Sequence, residues 1–247
     1  QEILQHRRNS LVGILNGVDY TEWNPAKDPL IRHAYDSRRI AGKKKNKLAL
    51  MKELGLDCSD DMPLIGMVTR LTGQKGLDLV EQVVPDMMTH RRFAMAILGS
   101  GEPHFEHFFS WLQHRYRDRV CFYRGFNNSL AHEIEAGSDI FLMPSLFEPC
   151  GLNQMYSLRY GTVPIVRHTG GLADSVQQFD PSSGEGTGIV FNDYNASALG
   201  WAVNYALDLY PEKATWRKLI RNGMAMDYSW EQQGQYYIDL FYGLSGR

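Results

Sequence analysis

The chain has 247 residues, of which 43% are hydrophobic and 22% charged, and a formal net charge of −2. This allows one large globular domain or two small ones with a core that needs no disulfide or metal, and it excludes a strong basic field for nucleic acid. Cys58, Cys121 and Cys150 form no CxxC pair, which argues against a disulfide framework and suits a reducing compartment; no apolar run reaches the ~20 residues of a membrane helix, and no signal-peptide pattern is read.

The first residue is Gln1, inside what reads as ordinary globular sequence, so the chain is expected to be a fragment of a longer protein. Residues 1 to about 62 carry one clear helical stretch, around Lys44–Leu54, preceded by a Pro/Asn/Asp-rich loop from Asn16 to Pro29. The basic run Lys43-Lys44-Lys45, followed by Asn46-Lys47, reads as one solvated helix face. From Leu64 onward, short apolar runs alternate with helical patterns. Strands are expected at Leu64–Val68, Phe93–Leu98, Val120–Tyr123, Ile140–Met143, Val163–Val166 and Gly188–Phe191. Helices are expected at Leu77–Met88, His104–Tyr116, Leu130–Ala136, Leu152–Tyr160 and Leu172–Gln177. The runs are apolar throughout, which is the pattern of strands covered on both faces in a parallel sheet. The alternation predicts a doubly wound, Rossmann-like α/β domain that binds ligands in the loops beyond the carboxyl ends of its strands. Pro181–Gly188 reads as a flexible loop. Three helices follow Asp193, near Ala196–Leu209, Glu212–Met226 and Trp230–Tyr242, and Ser229-Trp230-Glu231-Gln232 reads as a capping box for the last.

Three strand-to-helix loops carry polar groups suited to a ligand. In Thr69-Arg70-Leu71-Thr72-Gly73-Gln74-Lys75-Gly76, two cations five residues apart share a loop whose glycines permit close backbone approach. They suit a diphosphate, or are surface cations flanking a turn. In Pro144-Ser145-Leu146-Phe147-Glu148-Pro149-Cys150-Gly151-Leu152-Asn153, the residues Gly151 to Asn153 open a helix whose first N–H groups can hold an anion. Glu148 beside them either faces an uncharged part of a ligand, such as sugar hydroxyls, or caps the helix. Arg167-His168-Thr169-Gly170-Gly171-Leu172 brings a third helix start to the same edge, or is an ordinary turn.

These segments resemble the C-terminal domain of bacterial glycogen synthases and plant starch synthases, which have the GT-B fold. The resemblance runs from about Gly13 to about Tyr242 and rests on ILNGVDYTEWNP, TRLTGQKGLDL, PSLFEPCGLNQMYSLRYGTVPIVRHTGGLAD and SWEQQGQYYIDLF. It implies a retaining transfer of glucose from ADP-glucose to the non-reducing end of an α-1,4-glucan. It implies that Arg70 and Lys75 neutralise the donor's diphosphate and that Glu148 contacts the donor glucose. Cys150, Gly151, Leu152 and Asn153 match the loop and helix start that hold phosphate and sugar, with Thr169, Gly170 and Gly171 placed alongside. Phe126 matches a position where an aromatic ring packs near the adenine, and Asn16 and Gly17 match a loop that reaches the cleft between domains. By the same resemblance residues 1–15 are an incoming linker and 230–247 a tail helix that packs on an N-terminal domain. That domain's lysine–glycine donor loop and acceptor groove have no counterpart here. No metal and no cofactor is expected, the location is the cytoplasm or a plant plastid, and the chain alone is expected to bind ADP weakly and transfer nothing. A transferase using another nucleotide sugar and a non-catalytic glucan-binding module are the alternatives.

The sequence departs from the family at Asn153, where many members have Thr, and at Phe126, where many have Tyr. Tyr156 stands at the second Glu of the wider superfamily's E-x7-E pattern, as is common in the starch and glycogen synthases. Other features point elsewhere more weakly. Gly99-Ser100-Gly101 lacks the third glycine and the distant acid of a dinucleotide site. His104, His107 and His114 share a helical face and read as solvated. Cys150 reads as a packing residue, and Trp201, Tyr205, Trp216 and Trp230 read as core or docking aromatics rather than a glucan platform.

Overall fold

A computed structural model describes residues 5–59 and 61–246. The expected linker 1–15 and tail 230–247 therefore lie outside the described residues at 1–4 and 247. In chain order the elements are α1 (Ala41–Glu53), β1 (Leu64–Val68), α2 (Leu77–His90), β2 (Ala94–Gly99), α3 (Pro103–Arg115), β3 (Val120–Arg124), α4 (Asn128–Gly137) and β4 (Ile140–Met143). There follow α5 (Asn153–Tyr160), β5 (Val163–Arg167), α6 (Gly170–Ser175), β6 (Ile189–Phe191), α7 (Ala196–Leu209), α8 (Lys213–Met224) and α9 (Trp230–Ser245). The strands form a six-stranded sheet in the order β3-β2-β1-β4-β5-β6, with every pairing parallel. This is the expected doubly wound fold, with its topological switch point between β1 and β4.

Alternation along the strands explains the two faces. Ile65, Met67, Met95, Ile97, Ile140 and Leu142 join the large core cluster under α2, α3, α7 and α8. Their neighbours Leu64, Ala94, Ala96, Leu98 and Phe141 pack on the opposite face against Leu50 and Met51 of α1 and Leu130 and Ile134 of α4. Both faces are apolar because both are covered, and each fully buried Leu or Ile contributes roughly 1.5–3 kcal/mol. A third cluster joins Val18 and Tyr228 to Met155, Leu158, Val166 and Leu172, which anchors the entry loop and the approach to α9 beside α5 and α6.

Two expectations need correction. The lysine run is not a solvated face. Lys43 and Lys47 are buried, while Lys44 and Lys45 are exposed. The Lys43 Nζ donates to Thr162 Oγ1 at 2.6 Å and to the carbonyl of Ala136 at 3.3 Å. The Lys47 Nζ lies 2.6 Å from Asp139 Oδ2 and 2.9 Å from the Tyr210 hydroxyl. Acids and carbonyls from α4 and the start of β4 outweigh the preference of two ammonium groups for water. The capping box is only half made. Ser229 Oγ accepts from the N–H of Gln232 at 3.2 Å, but the Ser229 N–H donates to Asp227 Oδ1 at 2.9 Å. The Gln232 side chain turns instead to the Tyr236 hydroxyl, 3.5 Å away.

Candidate functional site

Beyond the carboxyl ends of β1 and β4, at the switch point, lies a cavity of about 670 Å³. Asn16, Arg70, Lys75, Glu148, Cys150, Gly151, Leu152 and Asn153 all line it. These residues come from three segments, and the loops between strands and helices hold them together. Gly76 has φ +70°, and a Cβ there would lie 2.0 Å from the carbonyl oxygen of Pro144. The loop after β1 thus presses directly on the loop after β4. The two are joined by the N–H of Leu146 to the carbonyl of Gln74 at 2.9 Å and by the Gln74 side chain to the carbonyl of Phe147 at 3.1 Å. Arg167, at the end of β5, braces the same loop through Nε to the Ser145 carbonyl at 2.9 Å, with a second guanidinium nitrogen on the carbonyl of Leu146.

The contact brings Lys75 Nζ to 2.6 Å from Glu148 Oε2, with Ser145 Oγ donating to the same oxygen at 3.3 Å. Glu148 is buried, and α5 receives no side-chain cap. Of the two readings of Glu148, helix capping is therefore excluded. Its carboxylate is held by the lysine instead of being aimed at the helix. Arg70 is exposed, and its guanidinium makes no hydrogen bond or ion pair among the described residues. The two cations thus differ: Lys75 is held against an acid, and Arg70 is open to solvent.

The start of α5 is fixed from three sides. The Asn153 side chain donates to the carbonyl of Val68 at 2.7 Å and so ties α5 to the end of β1. The Gln154 side chain donates to the carbonyls of Cys150 and Gly151 at 3.0 and 3.1 Å, and Cys150 Sγ accepts from the N–H of Asn16 at 3.4 Å. Gly151 takes φ +74° at the turn. The first N–H groups of α5 have no partner within the helix, and the cavity is lined by Gly151, Leu152 and Asn153.

The other expected site residues do not line this cavity. Thr169, Gly170 and Gly171 lie behind it. The Gly171 N–H donates to the carbonyl of Glu148 at 3.1 Å, and a Cβ on Gly170 would sit 2.1 Å from that oxygen. This glycine pair lets α6 support the Glu148 loop from outside. Gly17 faces α9, where a Cβ would meet the Trp230 ring at 2.4 Å. Phe126 stands beyond β3 on the same edge of the sheet, 86% exposed.

Several structural roles were not read from the sequence. Arg167, Ser145 and Gln74 hold the Glu148 loop, and the signal for Arg167 was a cation at the end of a buried strand. Gly99 and Gly101 permit the loop after β2 to approach Thr69 and Leu71, where a Cβ would come within 2.1 and 2.3 Å of their carbonyl oxygens. That contact, not a dinucleotide, accounts for the glycines. Tyr156 stacks on Trp23 at 3.9 Å, and Trp23 stacks in turn on His132 at 3.7 Å. The His132 ring lies 2.8 Å from Asp28, which also accepts from the Tyr160 hydroxyl at 2.6 Å and from the N–H of Leu30 at 2.8 Å. Burial works against the Asp28 carboxylate, but these hydrogen bonds outweigh it and hold its pKa below the ordinary value. His104 is exposed and lies 2.8 Å from Glu81. Among the described residues no cluster of three metal-ligating side chains occurs, and no helix is long and apolar enough to cross a membrane.

The sheet order, with a crevice at its switch point, defines a doubly wound α/β domain. The chain belongs to the group 1 glycosyl transferases: the family model described as "Glycosyl transferases group 1" matches residues 55–223. It is 46% identical over 242 residues to a glycogen synthase of Bacillus cereus, covering 98% of this chain and 51% of the relative. It is 48% identical over 239 residues to a glycogen synthase of Anaeromyxobacter dehalogenans, covering 97% of this chain and 50% of the relative. The catalytic domain of starch synthase IV from Arabidopsis thaliana, bound to ADP and acarbose, superposes with a TM-score of 0.91 at 34% identity, over 100% of this chain and 51% of that one. A sucrose-phosphate synthase from Thermosynechococcus elongatus, 22% identical with a TM-score of 0.63, shares the fold. The chain spans about half the length of the curated relatives it matches.

Proposed function

We propose that this chain is the donor-binding half of a retaining glucosyltransferase that moves glucose from ADP-glucose to the non-reducing end of an α-1,4-glucan. The observation that carries the reading is the meeting of Arg70, the Lys75–Glu148 pair and the start of α5 in one cavity at the switch point. The starch synthase that superposes on the whole chain was solved with ADP and acarbose, and this supports a nucleotide and a glucan as ligands.

The chemistry follows from charge. A diphosphate brings negative charge into a crevice that also holds Glu148. Arg70 and the open N–H groups of α5 offset that charge, and Lys75 shares its ammonium between the carboxylate and a phosphate oxygen. Glu148 then faces the uncharged sugar, whose hydroxyls donate to it. As the glycosidic bond to the diphosphate breaks, the leaving ADP gains charge, and the same cations stabilise it. Phe126 provides an exposed ring for the base. Asn16 and Cys150 form the floor, and Thr169, Gly170 and Gly171 act by supporting the Glu148 loop. Gly17 acts by letting the entry loop pack on α9.

Transfer needs the acceptor held against the donor with water excluded, and that task belongs to an N-terminal half carried by the longer relatives. Three free cysteines suit a reducing compartment, the cytoplasm or a plastid. The test is calorimetric titration of ADP, UDP and GDP into the chain, with an assay for transfer from ADP-glucose to glycogen. ADP should bind more tightly than UDP or GDP, without transfer. Preference for UDP or GDP would assign another nucleotide sugar. Elongation by the chain alone would remove the half-enzyme reading, and glucan retention without nucleotide binding would point to a non-catalytic module.

A further inference from the structure

Of Trp201, Tyr205, Trp216 and Trp230, which the sequence suggests as core or docking aromatics, only Trp216 is buried; Trp201 is 51% exposed. Trp201 lies on the outer side of α7, and Tyr205, one turn later, stacks beside it with ring centroids 5.4 Å apart and planes 13° from parallel. The pair forms one wall of a second cavity of about 970 Å³, whose other walls are the loops after β5 and β6. His168, Gln177, Asn192 and Asp193 line it. All four are exposed, and their side chains make no hydrogen bond or ion pair among the described residues. No lysine or arginine lines the cavity, and Asp193 is its one acid.

This composition selects a ligand class. Flat aromatic plates accept the C–H faces of a pyranose, and unpartnered amides, an imidazole and a carboxylate accept or donate to the hydroxyls at its edge. A phosphate or other anion would meet a carboxylate and no cation. A wholly apolar ligand would leave the polar rim unpaired. The volume is at the upper end of ordinary ligand sites and leaves room for more than one sugar ring. The cavity shares the loop after β5 with the first site: His168 lines the second cavity, while Gly170 and Gly171 press on residues 148–150.

We propose that the cavity between Trp201–Tyr205 and the loops after β5 and β6 binds a glucan chain, at a site separate from the donor crevice and on the same edge of the sheet. The site follows from its own residues; the choice of an α-1,4-linked chain among saccharides rests on the proposed function. A chain held there would keep a polymeric acceptor near the donor between rounds of transfer.

Maltoheptaose and, separately, ADP should be titrated into the full chain and into Trp201→Ala and Asn192→Ala. Maltoheptaose should bind the parent chain without nucleotide, about tenfold more weakly after Trp201→Ala, and more weakly after Asn192→Ala. ADP affinity should be unchanged in both variants. Unchanged maltoheptaose binding in the variants overturns the site, as does absence of binding to a parent chain that still binds ADP. Equal or tighter binding of β-1,4-linked cellohexaose overturns the choice of glucan. Maltoheptaose binding with no ADP binding leaves this site standing and removes the donor reading.

Discussion

Lys43 and Lys47 show how little a single residue's type says about its place. Their partners lie far along the chain, at Glu135, Ala136, Asp139, Thr162 and Tyr210, so no local pattern could have marked the two lysines as interior. Lys47 closes a buried pair with Asp139, whose other contact is the N–H of Leu64 at the start of β1. Removing the ammonium leaves that carboxylate uncompensated. Lys47→Ala should cost about 3–5 kcal/mol in urea denaturation, whereas exposed Lys45→Ala should stay within about 0.5 kcal/mol. An equal effect of the two would place Lys47 on the surface.

Glu135 and Lys43 give the molecule a characteristic pH response. Burial raises the Glu135 carboxyl from 4.5 to about 8, against a hydrogen bond from Ser157, and burial lowers the Lys43 ammonium from 10.5 to about 7. Between 4.5 and about 8 the folded chain holds a proton on Glu135 that the unfolded chain has lost, so stability falls as pH rises. Between about 7 and 10.5 the unfolded chain holds the extra proton on Lys43, so stability rises with pH. The pair's contribution is therefore lowest near neutrality. Glu135→Gln should flatten the decline in melting temperature between about pH 5 and pH 7. An undiminished decline would assign it to other groups.

At the level of elements, the strands and helices were legible almost to their ends, because a buried parallel strand and an amphipathic helix each leave a periodic trace. The loops were only half legible. Arg70, Lys75 and Glu148 could be picked out as polar groups after strands, but the contact that brings Lys75 to Glu148 depends on Gly76 lying against Pro144. Glycine in a sequence does not say what it touches. The same is true of Gly170 and Gly171, which read as ligand-facing and turned out to support a loop, and of Gly17, which faces Trp230. Gly76→Ala should destabilise the chain by about 1–3 kcal/mol through strain at positive φ and the clash with Pro144, and should weaken ADP binding. Gly73, which has open space at its Cβ position, is the control: Gly73→Ala should do neither. Denaturation curves and ADP titrations on both variants decide this, and intact ADP binding in Gly76→Ala would mean that the two loops need not be pressed together.

The whole molecule presents the crevice at the switch point on one edge and an aromatic surface on α9. Trp230, Tyr236, Phe241, Tyr242 and Leu244 are each about half exposed or more. Several large apolar side chains exposed on one helix favour a partner that covers them. The chain should self-associate as its concentration rises, and the double variant Phe241→Ser, Leu244→Ser should sediment closer to the monomer. Identical sedimentation would show that α9 is not the surface involved.

On the proposed function, the cavity at the switch point binds a nucleoside diphosphate through Arg70. The direct measurement is calorimetric titration of ADP into the chain and into Arg70→Ala, with Trp201→Ala as a variant remote from the crevice. ADP should bind the parent chain and Trp201→Ala alike, and Arg70→Ala should lose about 1.5–3 kcal/mol, the size of a charged hydrogen bond. Equal ADP affinity in Arg70→Ala and the parent chain would show that Arg70 does not hold the diphosphate.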